Sequence, residues 1–285
     1  MAAFDWNGPQ HITPRFTEAE GGRLLAQKRA EDRRTSARLA DTDGVGSATA
    51  RPILLAGAEL LGEGPLMLVV SGIRQLARRV RAFELRDLEG RDLPEIEPGS
   101  HLRAPVRLPS GEMVERHYSI ASNPARRDIY EIAVLREEDG SGGSAAVQDS
   151  YRIGTRLQTD LPGNHFGLHE DERPALLIAG GIGITPIKSM AHALENRSVE
   201  FHLHYAGRGL GEMAFRDRLE RQFKDRLTIY SSADGARMDI PATLAESSKD
   251  VVIYVCGPKR LVNAVSDAAR QLGIARGRVR VELFS

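Results

Sequence analysis

The chain has 285 residues, enough for two ordinary domains, each with its own core. Lysine plus arginine and aspartate plus glutamate both number 39, so no basic excess exists to hold a nucleic-acid backbone. No apolar run reaches the ~18 residues of a membrane span and no secretory start is present, so a soluble, cytoplasmic protein is expected; the single cysteine, Cys256, excludes an intrachain disulfide and an all-cysteine metal cluster.

Residues 1–64 read as an N-terminal arm. Glu18 to Ala40 has helix-forming composition weakened by Gly21 and Gly22, and Asp41 to Ala50 reads as a linker. The arm is either a mobile extension or a clasp for a partner subunit, which would make it the route to an oligomer. His11 has no second ligand near it.

Residues 65–170 have the texture of short strands. Leu66 to Val70, Val80 to Leu88, His101 to Leu108, Arg116 to Ala121 and Tyr130 to Leu135 carry β-branched or alternating apolar residues between turn signals. An antiparallel β-barrel or a ligand-free sandwich fits that pattern. In residues 171–285, strands at Ala175–Ala179, Glu200–Tyr205, Leu227–Tyr230 and Val251–Cys256 alternate with helices beginning near Pro186, Gly211, Ile240 and Lys259. That alternation predicts an α/β domain with a parallel sheet, whose ligands bind beyond the carboxyl ends of the strands.

Four stretches carry candidate chemistry. In Arg116-His117-Tyr118-Ser119, an arginine and a tyrosine two apart on a strand share a face, so one can grip an anion while the other lies against a planar ligand. Asp139-Gly-Ser141-Gly142-Gly143-Ser144 precedes an amphipathic segment from Ala145 to Asp149; it reads as a phosphate-accepting backbone nest or as an ordinary surface loop. Leu176 to Met190 runs strand, glycine turn, helix start. Gly180, Gly181 and Gly183 let the backbone approach a nucleotide or simply pack closely, Thr185 is placed to cap the helix, and Pro186 suits its first turn. Neither GxGxxG nor a phosphate-loop motif is present. Cys256-Gly257-Pro258 ends a strand, where a buried cysteine and a residue touching a substrate ring are both ordinary readings.

Taken together and in this order, Arg116-x-Tyr118-Ser119, Gly142-Gly143-Ser144, Gly180-Gly181-Ile182-Gly183-Ile184-Thr185-Pro186, Cys256-Gly257-Pro258 and Glu282-x-Phe284 resemble the ferredoxin-NADP reductase superfamily, most closely its phthalate dioxygenase reductase branch. The resemblance covers about Leu66 to Phe284. It implies a flavin-binding barrel at 65–170 followed by an NAD-binding α/β domain at 171–285. By the same resemblance Arg116 binds the flavin phosphate with Gly142, Gly143 and Ser144, while Tyr118 and Ser119 meet the isoalloxazine ring and His117 between them belongs to the cofactor-binding strand. The segment from Ala133 and Val134 to Glu137 accompanies FMN, with FAD as the alternative. Gly181, Gly183, Thr185, Pro186, Cys256, Gly257 and Pro258 line the nicotinamide pocket, and Ser119, Cys256, Glu282 and Phe284 stand at the reacting rings.

Arg208 matches a family arginine near the nucleotide, and Ser232 and Asp234 follow a strand end. A carboxylate there accepts from a ribose hydroxyl and repels a 2′-phosphate, which favours NADH. His165, His202 and His204 lack metal-ligand spacing, so no metal is expected. The [2Fe-2S] domain that follows in close relatives, with its C-x4-C-x2-C cysteines, has no counterpart before Ser285. The expected activity is therefore an NADH reductase passing electrons through FMN to a separate ferredoxin or Rieske-type iron-sulfur protein of an oxygenase. A free flavin or quinone reductase and a non-catalytic flavin-binding subunit are the alternatives.

Overall fold

The computed structural model describes residues 59–284 apart from 139 and 141, all within one compact unit. The expectations for the arm, its helix, its linker and any oligomer contact, as well as those for Asp139 and Ser141, lie outside the described residues.

The first half contains β1 (Leu60–Leu61), β2 (Leu66–Ala77), β3 (Val80–Asp87), β4 (His101–Arg107), β5 (Met113–Ser119), β6 (Tyr130–Leu135), α1 (Gly143–Ser150) and β7 (Arg156–Thr159). Five of these strands form a sheet in the order β1-β7-β2-β3-β6, antiparallel except where β1 runs parallel to β7. The β4–β5 hairpin is joined to β6 by an antiparallel bridge between Ile120 and Ile132. Inward positions from both pieces, Leu68, Phe83, Leu102, Val106 and Tyr130 among them, close on one core. Each such apolar side chain contributes about 1.5–3 kcal/mol when fully buried.

Strand β2 continues to Ala77, well past Val70, where the sequence expectation ended it. The chain instead passes through a β-bulge, with Val70 opposite Leu85 and Gly72 opposite Glu84. Strands β1 and β7 are too short to show a period in the sequence.

The second half contains β8 (Ala175–Gly180), α2 (Ile184–Asn196), β9 (Phe201–Gly207), α3 (Arg216–Phe223), β10 (Leu227–Ser231), α4 (Ile240–Ala245), β11 (Val252–Gly257), α5 (Lys259–Gln271) and β12 (Val279–Leu283). All five strands are parallel in the order β10-β9-β8-β11-β12, so the order reverses between β8 and β11 and opens a crevice at their carboxyl ends. The helix expected near Gly211 is a single 3-10 turn at Leu210–Glu212, and α3 starts only after Phe215, whose φ of 61° breaks the helical run. Helix α2 is buried from Ile184 to Leu194, as a helix apolar on most of its surface must be. Thr185 does not cap it. Gly183 holds the cap position, and the Thr185 hydroxyl, already inside the first turn, donates to Ile182 O at 3.0 Å.

The halves share a second core. Ala77, Val80, Ala121, Ala133 and Phe166 from the first pack with Ala179, Ile184, Ile187 and Met190 from the second. Among the described residues no helix is long and apolar enough to cross a membrane, and no group of histidine, cysteine and carboxylate side chains is placed to hold a metal ion.

Candidate active site

On β5 exposure alternates, so Arg116 and Tyr118 turn inward while His117 faces out and stacks on His101 with ring centroids 4.9 Å apart. Ser119 ends the strand and is buried. Burial pushes the Tyr118 phenol up against the opposing pull of Arg116, so the ring stays neutral. Arg116 lies on Gly143, where a Cβ would come within 2.3 Å of the guanidinium Nε. Gly143 opens α1, an eight-residue helix whose cap residue Gly142 sits at φ 79° and offers no side-chain acceptor. Exposed N–H groups and a guanidinium thus converge, and the donor set fits a phosphate. Ser144 closes the far side, its Oγ accepting from Glu137 N at 3.1 Å.

Two turns from the parallel sheet face this strand. Gly183, after β8, comes so near β11 that a Cβ would lie 2.3 Å from Cys256 O, which only glycine allows. Cys256 itself is fully buried, and its Sγ donates to Glu282 Oε2 at 3.6 Å across the β11–β12 register. Burial pushes up the pKa of the thiol and, separately, that of the carboxyl. Phe284 N donates to Gly257 O at 3.4 Å, which hangs its ring beside the same turn.

Between these parts lies a cavity of about 1060 Å³. From the first half it is lined by Arg116, His117, Tyr118, Ser119, Ala133, Gly143 and Ser144, and from the second by Gly181, Arg208, Ser232, Gly257, Pro258 and Phe284. The other sequence candidates stand behind this lining. Val134 alternates with Ala133 and points into the barrel core; Gly142 precedes the lining residues by one place. Gly183, Thr185 and Pro186 are buried at the start of α2, and Cys256 and Glu282 meet each other beneath Gly257. Asp234 is turned aside, its carboxylate accepting from the Ser231 hydroxyl. Lining residues that the sequence does not single out include Arg79, Tyr230, Arg237 and Arg260. Arg237 follows Asp234 by three positions and Arg260 follows Pro258 by two, so inspection of whole turns rather than motif letters would have reached both.

Residues 177–267 match the family model described as an oxidoreductase NAD-binding domain. Vanillate O-demethylase oxidoreductase of Acinetobacter baylyi is 35% identical over 217 residues, 76% of this chain and 67% of that protein. Tetrachlorobenzoquinone reductase of Sphingobium chlorophenolicum is 35% identical over 222 residues, covering 76% and 67%. Among solved structures, phthalate dioxygenase reductase, described as a modular structure for electron transfer from pyridine nucleotides to [2Fe-2S], superposes with a TM-score of 0.71 at 32% identity, covering 77% of this chain and 68% of that one. The chain thus spans about two thirds of the length of these relatives. With the mixed sheet, the parallel sheet and the cavity between them, these likenesses establish that the chain belongs to the phthalate dioxygenase reductase-like branch of the ferredoxin-NADP reductase superfamily, a family of NAD-binding oxidoreductases.

Proposed function

We propose that the chain is an NADH-dependent reductase component that holds FMN and hands electrons to a separate iron-sulfur protein or oxygenase subunit. One observation carries the reading: a single cavity is lined both by the Arg116–Ser119 strand and by the glycine turns after β8 and β11. When bound, a flavin supplies the ability to accept a hydride and release single electrons. The chain's own residues do the rest. Arg116 and the start of α1 hold the phosphate, Tyr118 lays its ring along a flat ligand, and Ser119 offers a hydroxyl donor at the strand end. Gly181, Gly257 and Pro258 let the backbone approach the nicotinamide, and Phe284 covers it from water. Cys256 and Glu282, both held toward their protonated forms by burial, support the turn from below.

NADH is the donor in this reading, although the lining carries Arg208, the family arginine that blurs this preference, and adds Arg237 to it. The partner reading has physical support in an adjoining groove of about 740 Å³, which shares Arg79, Arg208 and Glu212 with the cavity and adds Arg78, Arg81 and Arg136 against Glu138 and Asp149, the last paired with Arg136, so arginines still outnumber carboxylates. An acidic protein docked there would sit beside the cofactor. A cytoplasmic setting, where NADH is produced, is consistent with this role.

The test is anaerobic reduction of the FMN-loaded protein by NADH and by NADPH in a stopped-flow instrument, with the released flavin identified. Bleaching by NADH at the higher rate is expected; a protein that binds no flavin, or a bound flavin that NADH leaves yellow, ends the proposal. The likeness to a quinone reductase favours one second reading, direct reduction of quinones. Faster turnover with a benzoquinone than with any iron-sulfur acceptor would select it.

A further inference from the structure

Lys188 is the fifth residue of α2, the helix that leaves the glycine turn. Its side chain is 2% exposed, and burial pushes the amine below the ordinary lysine range while the Glu131 carboxylate beside it pulls the other way. The Nζ donates to Ala121 O at 2.5 Å and to Glu131 Oε2 at 3.1 Å, and lies 4.8 Å from the centroid of Phe215. Both acceptors belong to the other half of the molecule. Ala121 is two residues beyond Ser119, and Glu131 is two residues before Ala133 on β6, so each adjoins a residue that lines the cavity. Ala121 N donates to Glu131 O at 2.7 Å, which makes the two acceptors one rigid target. Glu131 also pairs with Arg74 of β2 and, at 3.3 Å, with Arg218 of α3.

Stability alone does not account for this arrangement. A buried ion pair gains little over well-packed apolar side chains of the same volume, because desolvation offsets most of the attraction. Burial raises the Glu131 carboxyl, but Lys188, Arg218 and Arg74 outweigh it and hold the group ionised. What the cluster adds over an apolar contact is direction: two hydrogen bonds leave the helix after Gly183, one to the strand end after Ser119 and one to Glu131 on β6. Ring-to-ring transfer is sensitive to such placement, since a misplacement of about 1 Å costs on the order of 100-fold in rate.

We propose that Lys188 is a positioning residue that sets the spacing between the two ring-binding halves of the cavity by tying Ala121 and Glu131 to α2. The inference rests on the proposed flavin and nicotinamide reading, and one arm of its test does not.

In the first arm, amide hydrogen exchange is followed over residues 118–123 and 184–192 in the full-length, flavin-free protein, comparing wild type with Lys188→Met. Faster exchange in both segments is expected, and unchanged exchange overturns the tie. In the second arm the FMN-loaded proteins are mixed with NADH. The limiting rate of flavin reduction is expected to fall by about 10- to 100-fold, with flavin content and the NADH dissociation constant little changed and the long-wavelength absorbance of the stacked rings lost. A limiting rate and absorbance equal to wild type overturn the proposal. Should Lys188→Met fail to fold, the pair Lys188→Met with Glu131→Gln removes both charges while still lacking the ammonium tie, and the same readouts decide. If wild type itself is not reduced by NADH, the cavity reading fails and the exchange arm alone judges the tie.

Discussion

Gly143 is an exacting position in the flavin half, because its missing side chain is the space in which the Arg116 guanidinium lies. Adding one methyl places a carbon 2.3 Å from Nε and must displace the arginine from the start of α1. A guanidinium–phosphate hydrogen bond contributes roughly 1.5–3 kcal/mol. Gly143→Ala is therefore expected to weaken FMN binding by about 10- to 100-fold while leaving riboflavin, which lacks the phosphate, nearly unaffected. Flavin fluorescence titration measures both, and equal losses for the two ligands would mean that the arginine does not grip a phosphate. The sequence names Arg116 and Gly143 as family letters but holds no sign that they touch. Asp234 shows the opposite limit. Its charge predicts a repulsive role toward a 2′-phosphate, and the structure adds a local partner, the Ser231 hydroxyl three residues earlier, that donates to the same carboxylate. Local hydrogen bonding of this kind competes with any longer-range role and is invisible in spacing.

Helix α2 and strand β9 bury ionisable rings that the periodicity treats as plain polar letters. His192 Nδ1 accepts from Gln222 Nε2 at 2.9 Å, and His204 Nδ1 lies 2.9 Å from the Tyr230 hydroxyl. Burial, with Lys188 near the first and His202 near the second, lowers both to about 4 from 6.5. A folded value below the unfolded one means that the unfolded chain takes up the proton first. Their contribution is complete above about pH 6.5 and declines as the pH falls toward 4, by up to about 1.4 kcal/mol per pH unit for each ring. Urea midpoints should accordingly drop between about pH 6.5 and pH 4.5, before carboxylates such as Asp128, held at about 2 by Arg126 and by burial-opposed contacts with Arg86, begin to titrate. A midpoint unchanged across that interval would mean that the rings are not buried neutral. Strong apolar periods made the main elements legible. Strand β12, reading Val-Arg-Val-Glu-Leu, alternates as a strand should, but its faces are inverted: Val281 and Leu283 are exposed while Glu282 turns in to meet Cys256, which a hydrophobic period cannot foretell.

At the scale of the molecule, the parallel sheet and its ligand-binding end followed from strand–helix alternation, but the cavity did not. It exists because Ala121 and Ala133 of one half share a core with α2 of the other, a contact that no local pattern encodes. The arginine groove is likewise a product of assembly: Arg78, Arg81, Arg136 and Arg208 come from both halves, while the chain as a whole is electrically balanced. Docking of an acidic iron-sulfur partner on that groove should weaken as salt shortens the reach of the charges. Arg78→Glu, at a position outside the cavity lining, is expected to slow reduction of such a partner by about tenfold at low ionic strength, with NADH-driven ferricyanide reduction unchanged. Equal slowing of both acceptors would remove the groove from consideration.

Phe284 hangs from the margin of the parallel sheet, where among the described residues β12 has a neighbour on one side only, and is held by a 3.4 Å backbone bond to Gly257 and by packing of its ring on the shared core. Fraying of that border would swing the ring out at the cost of its packing alone, so admission and departure of the pyridine would be timed by an edge strand of the sheet. The pace of each catalytic cycle would then answer to the hem of the fold, and stiffening that edge should trap spent nucleotide even where transfer itself is untouched.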